Sequence, residues 1–196
     1  MARPRGPVAR FDASVDRAFD RLRGRSWADR LFYAASALGD HGILWLILAG
    51  LRAARPDGGT GRNRQAAVRA AAGVGIESAI VNLGIKSLFR RVRPVPPASH
   101  PRPFRHPRTS SFPSGHATSA FCAADLLGQD DPLRPLYYGL AVVVATSRIY
   151  VRIHHASDVA AGAVLGAAMG RLGRKLAPLG APPVWRREST GGARRS

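Results

Sequence analysis

Apolar residues gather in five segments of the chain, and polar connections separate them. The segments span residues 31–54, 66–85, 116–128, 135–150 and 159–176. Several lack the roughly 18 uninterrupted apolar residues that mark a membrane-spanning helix, and acidic residues interrupt the first three. No segment alternates apolar and polar residues with the period of two that a half-buried strand requires. The pattern therefore predicts an all-α protein.

The last of these segments favours a membrane protein. Gly162, Gly166 and Gly170 repeat every fourth residue in a background of Ala, Val and Leu. Small residues at this spacing let helix backbones approach closely in lipid. The same stripe would also suit close packing inside a soluble bundle. We predict a membrane-embedded helical bundle of about five spanning helices plus an N-terminal amphipathic helix.

The amphipathic helix is predicted from residues 11–22, where apolar side chains recur at helical spacing with charged residues between them. Such a helix fits a membrane interface, with a surface helix of a soluble bundle as the alternative. We divide the chain into a basic amphipathic segment (1–30), a helical domain (31–178) and a disordered basic tail (179–196). The linker 95–113 holds six prolines. It is too long for a simple turn and is predicted to be either disordered or functional.

The formal charge of +18 would by itself indicate a nucleic-acid binder or a protein that sits against anionic lipid. Nearly all of the basic residues are arginines, however, and Ala, Gly and Arg are abundant throughout, as a coding bias would produce. We therefore predict no nucleic-acid partner from the charge. Because Lys86 and Lys175 are the two lysines, Lys86 calls for an explanation. The single Cys122 excludes an intramolecular disulfide.

Three polar clusters lie at the ends of the predicted helices. They are Lys86 with Arg93-Pro94, then Pro113-Ser114-Gly115-His116, and finally Ser147-Arg148 with His154 and Asp158. The first cluster follows the second apolar segment, and the second cluster lies at the start of the third segment. The third cluster connects the fourth segment to the fifth. If each segment crosses the layer once, all three clusters emerge on the same side and can share one site.

The combined clusters contain what binding of a phosphoryl group requires. A phosphate ester carries about two negative charges, and its transition state spreads charge over three oxygens, so several fixed donors are needed. Lys86, Arg93 and Arg148 supply cations. Ser114 is a plausible helix N-cap, and the backbone N–H of Gly115 would then point into a helix mouth that favours an anion.

Catalysis needs a nucleophile and an acid, and two histidines are available. A neutral imidazole can attack phosphorus if a carboxylate holds its other nitrogen, and His154 with Asp158 fits that role. His116 would protonate the leaving oxygen and later take a proton from water. This chemistry requires no metal and no cofactor. We assign His155, whose spacing to Asp158 is one residue short, either a structural role or one that supports the catalytic residues without touching the substrate.

The remaining basic residues near the first cluster have a simpler interpretation. Arg90 and Arg91 are read as interfacial charges at the end of a membrane helix. The arginines of the first polar loop would lie inside the cell if the site faces outwards, whereas the basic N-terminus would lie outside. Those loop arginines are Arg52, Arg55, Arg62, Arg64 and Arg69. Charge counting therefore does not determine the orientation.

Together, the three clusters resemble the motifs of the type 2 phosphatidic acid phosphatase family, which shares its core with vanadium haloperoxidases and bacterial non-specific acid phosphatases. The resemblance runs in order from Lys86 to Asp158. It implies a helical bundle in which His154 is the nucleophile, Asp158 orients it and His116 is the acid. The phosphate-holding residues that it implies are Lys86, Arg93, Ser114, Gly115 and Arg148.

This resemblance also implies a function and a location. The expected enzyme is a multi-pass cell-membrane phosphatase that hydrolyses a lipid phosphate or a polyprenyl (di)phosphate, with its site on the extracytoplasmic face. Membrane members commonly have six spanning helices, one more than the segments found here. Three alternatives stay open: a soluble vanadate-dependent haloperoxidase or acid phosphatase, a zinc hydrolase using His116, His154 and Asp158, and a non-catalytic basic protein that binds membrane or nucleic acid.

Overall fold

The structure is a computed structural model, and it describes residues 6–94 and 109–180. Within these residues the chain contains helices and no strand, so the all-α prediction is confirmed. The main helices are α1 (Pro7–Asp20), α2 (Ser26–Leu38), α3 (Ile43–Ala54), α4 (Arg62–Ala79), α5 (Gly115–Leu127), α6 (Arg134–Tyr150) and α7 (Ala156–Leu176). Most of the 95–113 linker and of the predicted tail lies outside the described residues.

The first apolar segment, 31–54, is two helices and not one. A short 3₁₀ turn, Asp40–Gly42, separates α2 from α3, and the two helices are inclined by 77°. Gly42 has φ +70°, a left-handed conformation that glycine adopts without the steric cost of a side chain. The direction of the chain therefore changes where the hydrophobic pattern alone showed a continuous run.

Helix α5 packs closely against α7 through the predicted glycine stripe. A Cβ atom added to Gly166 would lie 2.1 Å from the carbonyl oxygen of Thr118, and one added to Gly162 would lie 2.6 Å from that of Ser114. The two helix beginnings are also joined directly, because the Ser114 N–H donates to the Asp158 carbonyl at 3.1 Å. The stripe thus places the start of α5 beside the start of α7.

Helix α1 is amphipathic, and the bundle covers its apolar face. Val15 and Phe19 pack against side chains of α6 and of the first turns of α7. Asp12, on the same helix, is buried, whereas Val8 and Phe11, nearer its start, are about half exposed. The N-terminal helix is therefore part of the folded domain and not a separate appendage.

Length and composition do not confirm five membrane spans. In the described part of the chain, one helix is long and apolar enough to cross a membrane, the 27-residue run Arg62–Leu88, in which π and 3₁₀ turns continue α4. The bent pair of α2 and α3 adds a second if it is counted as one span. Helix α5, with 13 residues, extends about 20 Å, less than the roughly 30 Å hydrocarbon layer.

Two arginines of the first polar loop region have structural roles at the far end of α5. The guanidinium of Arg52 donates to the Leu127 carbonyl and forms an ion pair with buried Asp131 at 3.3 Å. Arg69 donates to the Leu126 carbonyl at 3.0 Å. These side chains satisfy carbonyl groups that have no partner within the helix. Because both arginines are buried, they are a poor guide to membrane orientation.

Candidate active site

The structure brings the three sequence clusters together at one end of the bundle. The α4 extension ends there, α5 and α7 begin there, and α6 ends there. A Cβ atom added to Gly115 would lie 3.4 Å from the Lys86 Nζ atom, which joins the first cluster to the second. Arg93 contacts His154 and joins the first cluster to the third. All eight residues predicted for the site lie at this end of the bundle, while their individual roles stay predictions.

His154 lies in the short connection between α6 and α7 and is 4% exposed. Its Nε2 atom is 3.1 Å from Nη1 of Arg93. Its Nδ1 atom is 3.7 Å from Oδ2 of Asp158 and 3.5 Å from the Ser111 hydroxyl. Since a guanidinium can only donate, Nε2 must accept, and the ring proton of the neutral imidazole then sits on Nδ1, facing the carboxylate.

The charge state of His154 follows from its surroundings. Burial lowers its pKa to about 3, and the positive charges of Arg93 and Arg148 act in the same direction, while Asp158 opposes them. The imidazole is therefore neutral at physiological pH. A neutral ring that is unprotonated on Nε2 is the form that can act as a nucleophile.

Asp158 is fully buried and its carboxylate is held from several sides. Oδ2 accepts the Ser111 hydroxyl at 2.5 Å and the His155 backbone N–H at 2.9 Å. Oδ1 forms an ion pair with Arg91 at 2.6 Å. The interpretation of Arg91 as an interfacial charge is therefore wrong. Ser111 and Arg91 were missed because neither belongs to a spaced motif, and the contacts join positions 47 and 67 residues apart in sequence.

The adjacent histidine has the structural role expected for it. His155 is the N-cap of α7, where its carbonyl accepts the Asp158 backbone N–H at 3.1 Å and its own backbone N–H donates to the Asp158 carboxylate at 2.9 Å. Its Nε2 atom is 3.2 Å from the Val92 carbonyl oxygen, which ties the segment after the α4 extension to the start of α7. The neighbouring imidazoles of His154 and His155 thus have different contacts and different roles.

Each of the three predicted cations is held by the protein. The Lys86 ammonium donates to the Asn82 side-chain oxygen at 2.9 Å. The guanidinium of Arg93 donates to the Ser110 carbonyl at 3.1 Å, and burial lowers the pKa of Arg93. Arg148 is 5% exposed and donates to the Ser36 hydroxyl of α2. Ser36 also escaped sequence analysis, since nothing in its surroundings separates it from other helical serines.

The start of α5 supplies a further element for anion binding. Ser114 is the N-cap, as predicted, and its hydroxyl accepts the Ala117 N–H at 3.4 Å. The first N–H groups of a helix carry the positive end of its dipole, so this end favours an anion. Lys86 beside Gly115 adds a full positive charge at the same place.

His116, in the first turn of α5, contacts the break between α2 and α3. Its Nε2 atom is 2.9 Å from Oδ1 of Asp40. A Cβ atom added to Gly39 would lie 2.8 Å from Cδ2 of the ring, so the backbone of the turn touches the imidazole. In the sequence, Asp40 is one of the acidic residues that interrupt the apolar segments, and the structure makes it the carboxylate partner of His116.

A shared zinc site for His116, His154 and Asp158 is not what the geometry shows. Among the described residues, no group of three or more His, Cys, Asp and Glu side chains is placed to hold a metal ion. His116 faces Asp40, whereas His154 faces Arg93. The two imidazoles have separate partners.

Comparison with known proteins gives a consistent answer. Residues 66–178, more than half of the chain, match the PAP2 superfamily. The chain is 42% identical over 170 residues to decaprenylphosphoryl-5-phosphoribose phosphatase of Mycobacterium tuberculosis, covering 86% of this chain and 89% of the relative. These matches confirm the resemblance drawn from the three clusters.

Two solved structures share the fold. The crystal structure of Aquifex aeolicus LpxE superposes with a TM-score of 0.68 at 22% identity, covering 89% of this chain and 99% of that one. A transmembrane PAP2-type phosphatidylglycerolphosphate phosphatase from Bacillus subtilis superposes with a TM-score of 0.61 at 24% identity, covering 84% and 85%. By sequence and by fold, the chain belongs to the PAP2 superfamily and is a phosphoric monoester hydrolase of that family.

Proposed function

We propose that the protein is a membrane phosphatase that hydrolyses a lipid phosphate monoester through a phosphohistidine on His154. The observation that carries this proposal is the environment of the His154 ring. Its Nδ1 atom faces Asp158 and its Nε2 atom faces Arg93, so the unprotonated nitrogen points towards the cations. A buried, neutral imidazole held in this tautomer is ready to attack phosphorus.

In the first step, Nε2 of His154 attacks the phosphorus atom. The P–N bond forms as the P–O bond to the leaving alcohol breaks, and His116 gives its proton to the leaving oxygen. The imidazolium formed at His154 is stabilised by Asp158 through the Nδ1 proton. The three cations and the start of α5 hold the phosphoryl oxygens, where negative charge accumulates in the transition state.

In the second step, water hydrolyses the phosphohistidine. His116, now neutral, takes a proton from the water as its oxygen attacks phosphorus. The P–N bond breaks, inorganic phosphate leaves, and His154 returns to the neutral form. Both histidines are then back in their starting protonation states, so the cycle balances without a cofactor.

The substrate class that we propose is a polyprenyl-phosphate-linked sugar phosphate. The M. tuberculosis relative is named for such a substrate, and this chain covers most of its length. Large apolar side chains near Lys86 are strongly exposed: Leu83 by 81%, Leu88 by 78% and Val92 by 78%. Exposed apolar surface beside a phosphate-binding lysine fits a headgroup site at the edge of a lipid layer.

For the membrane arrangement, we propose that α3 to α7 form the embedded bundle, with α1 and α2 at the end that carries the site. Support comes from Phe32 of α2, which stacks on Tyr150 at the end of α6 with ring centroids 4.5 Å apart. We place the site on the extracytoplasmic face. The basic N-terminal segment 1–30 carries α1, which packs on this helical domain, and the tail 179–196 follows it.

The test is phosphate release from a panel of lipid phosphates in detergent, with a chelator present, comparing wild type with His154→Ala and His116→Ala. We expect His154→Ala to lose turnover by orders of magnitude, and His116→Ala to do so for poor leaving groups. Rapid quenching of the wild type should trap phosphate on the protein in a base-stable, acid-labile form. Equal activity of wild type and His154→Ala would refute the mechanism.

A further inference from the structure

Arg91 occupies a central position behind the proposed nucleophile. Its Nη1 atom donates to Asp158 Oδ1 at 2.6 Å and to the Ser157 hydroxyl at 2.8 Å. Its Nη2 atom donates to Asp12 Oδ2 at 2.6 Å. One guanidinium therefore bridges two carboxylates on different helices. The Arg91 side chain is 29% exposed, while the carboxylates of Asp12 and Asp158 are 8% and 0% exposed.

The N-terminal helix is built into this network through Asp12. Besides the ion pair with Arg91, its Oδ1 accepts the Ser157 backbone N–H at 2.7 Å and its Oδ2 accepts the Ser157 hydroxyl at 2.9 Å. The Arg91 backbone is fixed as well, since its carbonyl accepts the Ser111 N–H at 2.9 Å. Ser111 in turn donates to Asp158, so the Arg91 backbone and the carboxylate have a second link.

We propose that Arg91, anchored by Asp12 of α1, is a positioning residue that acts on His154 through Asp158. This proposal rests on the proposed role of His154 as nucleophile. Arg91 holds Asp158 Oδ1, so Oδ2 stays directed at the Nδ1 face of the imidazole. It also partly neutralises the carboxylate, which limits how strongly Asp158 favours the imidazolium form of His154. The N-terminal helix is thereby a functional part of the site.

The sign of the pH effect follows from the charges that face His154. Arg93 and Arg148 disfavour the imidazolium, Asp158 favours it, and Arg91 is the cation that faces Asp158. Loss of Arg91 leaves the Asp158 charge less compensated, so a larger fraction of His154 is protonated at low pH. The acid limb of the pH–rate profile must therefore move to higher pH.

We would measure kcat and KM of the purified full chain from about pH 2 to pH 9 with p-nitrophenyl phosphate, for wild type and Arg91→Gln, so that the range includes the pKa of His154. We expect kcat to fall roughly ten-fold and KM to change little. A loss of this size is typical when a residue that orients a metal-bound histidine is removed. The acid limb should shift upwards. Ionisation of the substrate is common to all variants, so it cancels in the comparison.

Further variants separate positioning from folding. Arg91→Lys keeps the charge but lacks the two-pronged geometry, so the acid limb should return to its wild-type place with kcat partly restored. Asp12→Asn should shift the limb in the same direction as Arg91→Gln, but less. Arg90→Gln is the matched control, because Arg90 is the exposed neighbour of Arg91, and it should behave as wild type.

Two results would overturn the inference. One is an acid limb that stays in place in Arg91→Gln, whatever happens to kcat or to stability. The other is an equal shift in Arg90→Gln, which would indicate a general effect of surface charge. An inactive His154→Ala beside an unshifted Arg91→Gln would leave the proposed function intact and remove only the positioning role. An active His154→Ala would contradict the function itself.

Discussion

Two imidazoles of the site depend on different carboxylates. His154 is buried and its Nδ1 atom faces Asp158, which lies four residues ahead on α7. His116 meets Asp40, which comes from the turn between α2 and α3, 76 positions away in sequence. A carboxylate beside an imidazole favours its protonated form, which suits a general acid. The role of Asp40 can be separated from that of Asp158 because protonation by His116 matters most for a poor leaving group, whereas attack by His154 is needed for every substrate.

We predict that Asp40→Asn selectively impairs substrates with poor leaving groups. Without the carboxylate, His116 holds its proton less firmly, so protonation of an alkyl leaving oxygen is weakened. A nitrophenolate leaves without such help. The expected loss in kcat/KM is about ten-fold or more for a lipid phosphate, a part of the roughly 10²–10⁴-fold that general acid catalysis contributes, and small for p-nitrophenyl phosphate.

A double-mutant comparison provides the control for this prediction. If Asp40 acts through His116, adding Asp40→Asn to His116→Ala should change neither substrate further, because the interaction has already been removed. Equal losses for the lipid and the nitrophenyl substrate in Asp40→Asn would show that Asp40 serves the fold or phosphate binding instead.

At the scale of secondary structure, the contact between α5 and α7 decides how the phosphate pocket and the nucleophile are brought together. Ser114 and Gly115 begin α5, and Asp158 lies in the first turn of α7. A direct hydrogen bond joins the two starts, and the glycine stripe allows the helix backbones to approach. Any side chain inserted between them must push the two parts of the site apart.

We predict that Gly166→Ala destabilises the protein by about 1–3 kcal/mol, the usual cost of overpacking. A Cβ atom there would meet the Thr118 carbonyl oxygen at 2.1 Å. Gly139→Ala on α6 is the matched control, since no atom lies within 4 Å of its Cβ position, and it should gain up to about 1 kcal/mol. Thermal unfolding in detergent measures both. Similar unfolding temperatures for the two variants would contradict the packing account.

Helix positions follow from the sequence because they depend on local periodicity. The segment 135–150 was predicted within one residue of α6, and Ser114 was identified as the cap of α5. The break at residues 39–42 was not predicted, because apolar residues continue on both sides of it. Arg91 was misread because its partners Asp12 and Asp158 come from distant parts of the chain. Contacts of that kind depend on tertiary packing, which the order of residues does not display.

Across the whole molecule, the two ends of the bundle have different tasks. One end carries the site, and the other carries the connection between α3 and α4, where Arg62 pairs with Asp130 at 2.7 Å. Helix α4 and its extension link the two ends over 27 residues, or about 40 Å. That distance exceeds the hydrocarbon layer, so residues at the two ends should face opposite sides of the membrane.

We predict that a cysteine at Ser87, beside the site, reacts with a membrane-impermeant maleimide on intact cells, whereas one at Thr60 reacts only after permeabilisation. Both positions are exposed. The natural Cys122 is buried and would be replaced by alanine to remove background labelling. Full labelling of both variants in detergent is the control for reactivity. Labelling of Thr60→Cys alone on intact cells would place the site on the cytoplasmic face, and labelling of both would contradict a bundle that crosses the membrane along α4.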